Sequence, residues 1–113
     1  MRQGTTPIVS ITVAQDFSNC NVFVTLDQDG KQVTKSSRDS EDVEITKNYN
    51  DSGEFENSTV AMYLTQAETL GFDIGIARVQ IRWVDFIGNA FATDIQTCSI
   101  TESLLQEVIS YGN

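Results

Sequence analysis

The side chains best suited to catalysis or metal binding in this 113-residue sequence are sixteen Asp and Glu and two Cys, and there is no histidine. That lack removes the commonest general base, the Ser-His and Cys-His nucleophile systems and every His-dependent metal site. No spacing among the carboxylates singles out a pair for general acid and base work. The stretch "DQDGK" (27–31) begins like a calcium loop, but its glycine comes two positions too early and the closing bidentate Glu is missing, so it reads as a hairpin turn. "DSGEFEN" (51–57) has oxygens enough for a loosely held Ca²⁺, with a solvated loop as the plainer reading. Cys20 and Cys98 are too few and too far apart for a disulfide framework or a CxxC zinc site, and read as reduced, packed thiols. Gly71, Gly75 and Gly88 fall in turns, not in a phosphate-binding loop. The sequence therefore leads to the expectation of no catalytic residue, no cofactor and no metal.

Charge narrows the partners. Seven Lys and Arg against sixteen Asp and Glu leave a net charge of −9. Phosphate binding needs clustered bases, so nucleic acid is not an expected partner. Residues 39–56 concentrate the acidity: Asp39, Glu41, Asp42, Glu44, Asp51, Glu54 and Glu56 share that span with one base, Lys47. A solvated loop face accounts for such a run, with a cation site or a basic partner as the sharper readings. No apolar run approaches the roughly 20 residues that span a bilayer, and the first residues lack the basic-then-apolar layout of a signal peptide. A non-membrane protein that stays in the cytosol of its producing cell is expected.

The elements that must position these groups follow a period of two. Val9, Ile11 and Val13 alternate with Ser10 and Thr12; Val22, Val24 and Leu26 repeat the pattern; and Asp29-Gly30 suits a type I′ turn that returns Lys31–Lys35 antiparallel. "VEIT" (43–46) and "STVAMYL" (58–64) read as the fourth and fifth strands. In "LTQAETLGF", Thr65 and Glu68 have capping-box spacing and Gly71 can end the turn, giving a short helical crossover. Ala77, Val79, Ile81 and Trp83 define a sixth strand opposite Arg78, Gln80 and Arg82, with Trp83 as the expected centre of the core. Gly88-Asn89 then turns into "FATDIQTCSI" as a seventh. After Thr101, the stripe Leu104, Leu105, Val108 and Ile109 reads as an amphipathic helix. The expectation is an all-β, immunoglobulin-like antiparallel sandwich of about seven strands (8–100), preceded by a polar arm (1–7) and followed by a short C-terminal helix and tail (101–113).

"RQGTTP" leading into a strand, "LTQAETLGFDIG", and "ARVQIRWVDFIGNAFATDI" together resemble small virion structural proteins of bacteriophages infecting Gram-positive bacteria. The likeness is greatest to the N-terminal immunoglobulin-like domain of phage upper baseplate proteins. It covers most of residues 2–100. The resemblance implies a non-enzymatic assembly role in the virion, with other virion proteins as partners, repeated copies or a homo-oligomer in the particle, and assembly in the host cytoplasm. Baseplate proteins of this kind continue into a linker and trimeric stem. This sequence ends after one expected helix, so a neck, tail or capsid-surface component is an equal expectation. Under this reading the partner-contact candidates are Arg2, Gln3, Thr5 and Thr6 in the arm, Arg78 and Arg82 on the outer face of the sixth strand, and Leu105 and Ile109 in the C-terminal stripe. The alternative is an immunoglobulin-like module that binds a carbohydrate or host surface through Tyr49, Phe55 or Tyr63; clustering of these on one exposed face is its signature.

Overall fold

Alternation of apolar and polar side chains builds eight strands and one helix in the computed structural model, which describes residues 1–112. In chain order these are β1 (Ile8–Val13), β2 (Cys20–Gln28), β3 (Lys31–Ser36), β4 (Val43–Tyr49), β5 (Phe55–Tyr63), α1 (Gln66–Leu70), β6 (Gly75–Asp85), β7 (Ala90–Ala92) and β8 (Gln96–Ile100). Two antiparallel sheets result, β1-β5-β4 and β3-β2-β6-β7, with β8 pairing the first half of β6. The chain is thus the all-β sandwich expected from its pattern. The strand order is that of an immunoglobulin-type sandwich without its first strand, with β3 in the position of the extra strand of variable-type domains.

The core lies between the sheets. Val22, Val24 and Leu26 of β2 and Ala77, Val79 and Ile81 of β6 face Val60 and Met62 of β5 and Val43 of β4, all buried, with Phe17, Leu64, Phe72 and Ile100 closing the ends. Each large aliphatic side chain so removed from water contributes about 1.5–3 kcal/mol. Turn chemistry sets the register. Asp29 and Gly30 both have positive φ (50° and 91°), as a type I′ hairpin requires, and Gln28 faces Lys31 across it. The Thr65 hydroxyl accepts from the Glu68 N–H at 3.2 Å while the Glu68 carboxylate accepts from the Thr65 N–H at 2.8 Å, completing the capping box of α1.

Four expectations need correction. "FATDIQTCSI" is not one strand: at Thr93 the side-chain hydroxyl replaces a main-chain acceptor for the Ile81 N–H (3.2 Å), which breaks the ladder into β7 and β8. The turn before it is Phe86–Gly88, with Gly88 at φ 97° and the Asp85 carboxylate accepting from the Ile87 and Asn89 N–H groups. Those donations hold the Asp85 carboxyl below the usual range, led by the Asn89 N–H. Trp83 points inward but sits at one end of the sandwich, half-buried between the Phe17 edge (5.2 Å) and the stacked Phe91 ring (5.6 Å); the centre belongs to Leu26, Met62 and Ile81. Finally, residues 101–112 form no helix. Thr101, the expected cap, is used instead as a β-bridge partner of Arg2, and a helix this short gains too little from its own hydrogen bonds to form without a packed face. Asn113, the last residue of the expected tail, lies outside the described residues.

Candidate protein-contact surface

Six of the eight sequence-derived candidates belong to the two chain ends, and the structure brings those ends together. Residues 1–3 extend the end of β8 as a short parallel strand: the Thr101 N–H donates to the Met1 carbonyl (2.7 Å), the Gln3 N–H donates to the Thr101 carbonyl (3.0 Å), and the N-terminal ammonium donates to the Ser99 carbonyl (2.6 Å). Arg2 Nη1 donates to the Glu102 carbonyl at 2.5 Å. Gln3 is buried, and its side-chain amide donates to the Phe72 carbonyl at 2.6 Å. Gly4, at φ 74°, turns the chain against the Leu70 side chain, where a Cβ would lie 3.3 Å from its nearest carbon. Thr5 then donates to the Arg2 carbonyl and offers its own carbonyl to the buried Thr69 hydroxyl. The polar arm expected ahead of the sandwich is tied to it: main-chain and amide groups of Met1, Gln3 and Thr5 bond to Ser99, Thr101, Phe72 and Thr69.

The C-terminal segment lies over this arm. Ser103 Oγ donates to the Gln3 carbonyl at 2.6 Å, and the Gln106 side-chain amide reaches both Gln3 Oε1 and the Ser103 carbonyl. Further on, Gln66 of α1 grips the Ile109 peptide from both sides, accepting from its N–H at 2.8 Å and donating to its carbonyl at 2.9 Å. Polar groups hold the segment, and its apolar side chains face out: Leu104 is 94% exposed, Leu105 58%, Val108 60% and Ile109 60%. Between arm and segment runs an open groove of about 320 Å³ lined by Gln3, Thr5, Leu104, Leu105, Glu107 and Ile109. Thr6 is exposed just beyond Thr5.

Arg78 and Arg82 lie elsewhere, on the outer face of the five-stranded sheet. Arg78 is already engaged, 2.9 Å from the Asp27 carboxylate, which also accepts from Gln32 Nε2 at 3.0 Å. These two donations, Arg78 first, hold the Asp27 carboxyl below its ordinary value. Arg82 pairs across strands with Phe23, whose ring carries the Arg38 guanidinium 5.8 Å above it. A shallow hollow of about 490 Å³ lies here between Phe23, Thr25, Gln32, Thr34, Arg82 and Trp83. Tyr49 and Phe55 are exposed and meet edge to face at the tip of the β4–β5 hairpin, whereas Tyr63 stands at the other end of β5, so the three do not cluster.

Other chemistry-bearing groups are dispersed. Among the described residues no three His, Cys, Asp or Glu are grouped to hold a metal ion. Cys20 and Cys98 are free and half-buried, and burial pushes both thiols above the ordinary value, away from the thiolate that reacts. The sequence reading missed Gln66 and Phe23. Neither carries a signal of its role along the chain, because their partners lie 43 residues away at Ile109 and across the sheet at Arg82. Compared with family models, curated proteins and solved structures, the chain matches none.

Proposed function

We propose that the protein is a non-enzymatic structural module of a bacteriophage particle, a baseplate, tail, neck or capsid-surface component, that works through protein–protein contacts. One observation carries the reading: the segment after β8 is pinned by polar contacts, the Ser103 and Gln106 side chains to Gln3 and the Ile109 main chain to Gln66, while Leu104, Leu105, Val108 and Ile109 are held facing solvent. An apolar strip displayed in this way suits burial against a neighbouring subunit. The particle itself comes from the resemblance of "RQGTTP", "LTQAETLGFDIG" and "ARVQIRWVDFIGNAFATDI" to phage virion proteins. Electron microscopy of particles assembled without this gene tests the role. Missing density or aberrant particles are expected; unchanged mass and morphology would refute it.

The alternative reading is a carbohydrate- or host-surface-binding module, and the hollow beside Phe23 favours it more than the tyrosines do. That hollow combines the aromatic surface of Phe23 with the hydrogen-bonding groups of Thr25, Gln32, Thr34 and Arg82. Saturable binding of cell-wall polysaccharide that is lost in Phe23→Ala would support this reading over the first.

A further inference from the structure

Four strand edges border the two sheets, and three are closed to further pairing. On β3, Lys31 and Lys35 are charged, their ammonium groups paired with Asp73 and with Glu68 and Asp42. β4 carries the charged Glu44 and Lys47, the latter paired with Asp16, and a register shift between Asn48 and Tyr49 distorts the ladder. The β7/β8 edge is broken between the two strands, and residues 1–3 pair with the end of β8. Charges, bulges and cover are the ordinary means of keeping an edge from recruiting another strand. Among the described residues, the fourth edge, β1, has none of them. Its sequence "IVSITV" lies in the longest uncharged run of the chain, residues 3–15.

Register shows which groups β1 leaves free. The Leu64 N–H donates to the Pro7 carbonyl, and Ile8 faces Tyr63 in the antiparallel ladder with β5. By alternation, Val9, Ile11 and Val13 turn their N–H and C=O toward β5, while Ile8, Ser10 and Thr12 turn theirs outward. The side chains of Ile8, Ser10 and Thr12 are exposed as well, with Ile8 at 56%.

We infer that β1 is a self-association edge: β1 of a second copy pairs antiparallel with it about a two-fold axis at Ser10, joining two three-stranded sheets into one of six strands. The three outward residues are self-complementary in this register, Ile8 opposite Thr12 and Ser10 opposite Ser10, so all their N–H and C=O groups are paired. Val9 then lies beside Ile11 of the other copy on the core-facing side. Charge selects a second copy over a charged partner strand. Chains of net charge −9 can meet at β1 because neither presents charge there, and an acidic or basic strand would find no counter-ion on it. This inference stands apart from the particle role, since it concerns the purified protein alone.

Sedimentation equilibrium of the purified chain tests it, with the monomer at 12.5 kDa. Wild type is expected to approach twice that mass as concentration rises. Ser10→Lys places two ammonium groups on the axis, and Ser10→Pro removes an outward N–H that the monomer does not use, a position where edge strands tolerate proline. Both variants are expected to halve the sedimenting mass while circular dichroism keeps the wild-type strand signal. Thr12→Lys is a second route to the same result should either variant misfold. A wild type that stays at monomer mass at every concentration overturns the inference, as do folded Ser10 and Thr12 variants that dimerise like wild type.

Discussion

Where β3 passes into β4, the flank of the sandwich is closed by lysines; where the arm enters β1, main-chain hydrogen-bonding groups are left open. Lys35, with a side chain only 9% exposed, illustrates the first: its ammonium donates to the Tyr63 carbonyl at 2.7 Å and lies 2.9 Å from Glu68 and 3.8 Å from Asp42. It links β3, the end of β5, α1 and the turn before β4. On the other flank, Gly4–Thr6 and β1 carry no charge, and the neighbouring C-terminal segment turns apolar side chains to solvent. One flank thus commits its polar groups to internal contacts, and the other leaves main-chain groups unpaired and apolar side chains exposed.

The largest expected effect separates the two sides of β1 itself. Val9→Pro removes an N–H directed at β5 and should cost about 3 kcal/mol or more, whereas Ser10→Pro on the open side should cost under about 1 kcal/mol. Urea unfolding of both variants measures the contrast, and equal losses would mean that the edge is not open. Next, Lys35→Ala leaves the partly buried Glu68 carboxylate without its cation and should destabilise by about 1–3 kcal/mol, a loss that Lys31→Ala, at an exposed pair with Asp73, should not reproduce. Gln3→Ala should cost about 1–2 kcal/mol, because the Phe72 carbonyl loses its buried donor. A thermal melt unchanged in Gln3→Ala would show that the arm does not belong to the folded body.

Acid should weaken the fold wherever a carboxyl is held below its ordinary value, at Asp27 and Asp85 as well as on the closed flank. Burial raises the Glu68 pKa, but donations from Lys35 and Thr65 outweigh it and hold the carboxyl below its ordinary 4.5. Asp16 is likewise lowered from 3.8 by donations from Ser18, with Lys47 of β4 adding to them. A depressed folded-state pKa gives stability that is complete above the unfolded value and drains as pH falls through the folded one. Thermal midpoints should therefore hold from neutral pH down to about 5 and fall below 4.5, with a shallower fall in Lys35→Ala. An identical acid profile in that variant would remove Lys35 from the explanation.

Short-range physics was legible along the chain. The Asp29-Gly30 turn, the Thr65/Glu68 capping box and the alternation of β1, β2, β5 and β6 each depend on neighbours a few residues apart. What the sequence hid depends on distant partners. Leu104, Leu105, Val108 and Ile109 have helical spacing, but the bonds that fix their backbone reach Gln3, 100 residues from Ser103, and Gln66, 43 residues from Ile109. Gln3 looks like a solvated arm residue until Phe72, 69 residues on, provides its acceptor. The break at Thr93 likewise turns on a hydroxyl bonded to Ile81. Of the candidate residues, the arm and the C-terminal stripe were found by their contrast with the strands, while the open edge of β1 emerged only from comparison with the other three edges.

The smallest expected effect on folding carries the functional claim. Leu105→Asp combined with Ile109→Asp alters exposed side chains and should shift stability by no more than about 0.5 kcal/mol per site. Quantitative mass spectrometry of purified particles, made with the wild-type chain and with this double variant, tests the account most directly. Wild type is expected at a fixed ratio to the other structural proteins, and the folded double variant is expected to be depleted. Absence of the wild-type chain from purified particles, or incorporation of the variant at the wild-type level, would contradict it.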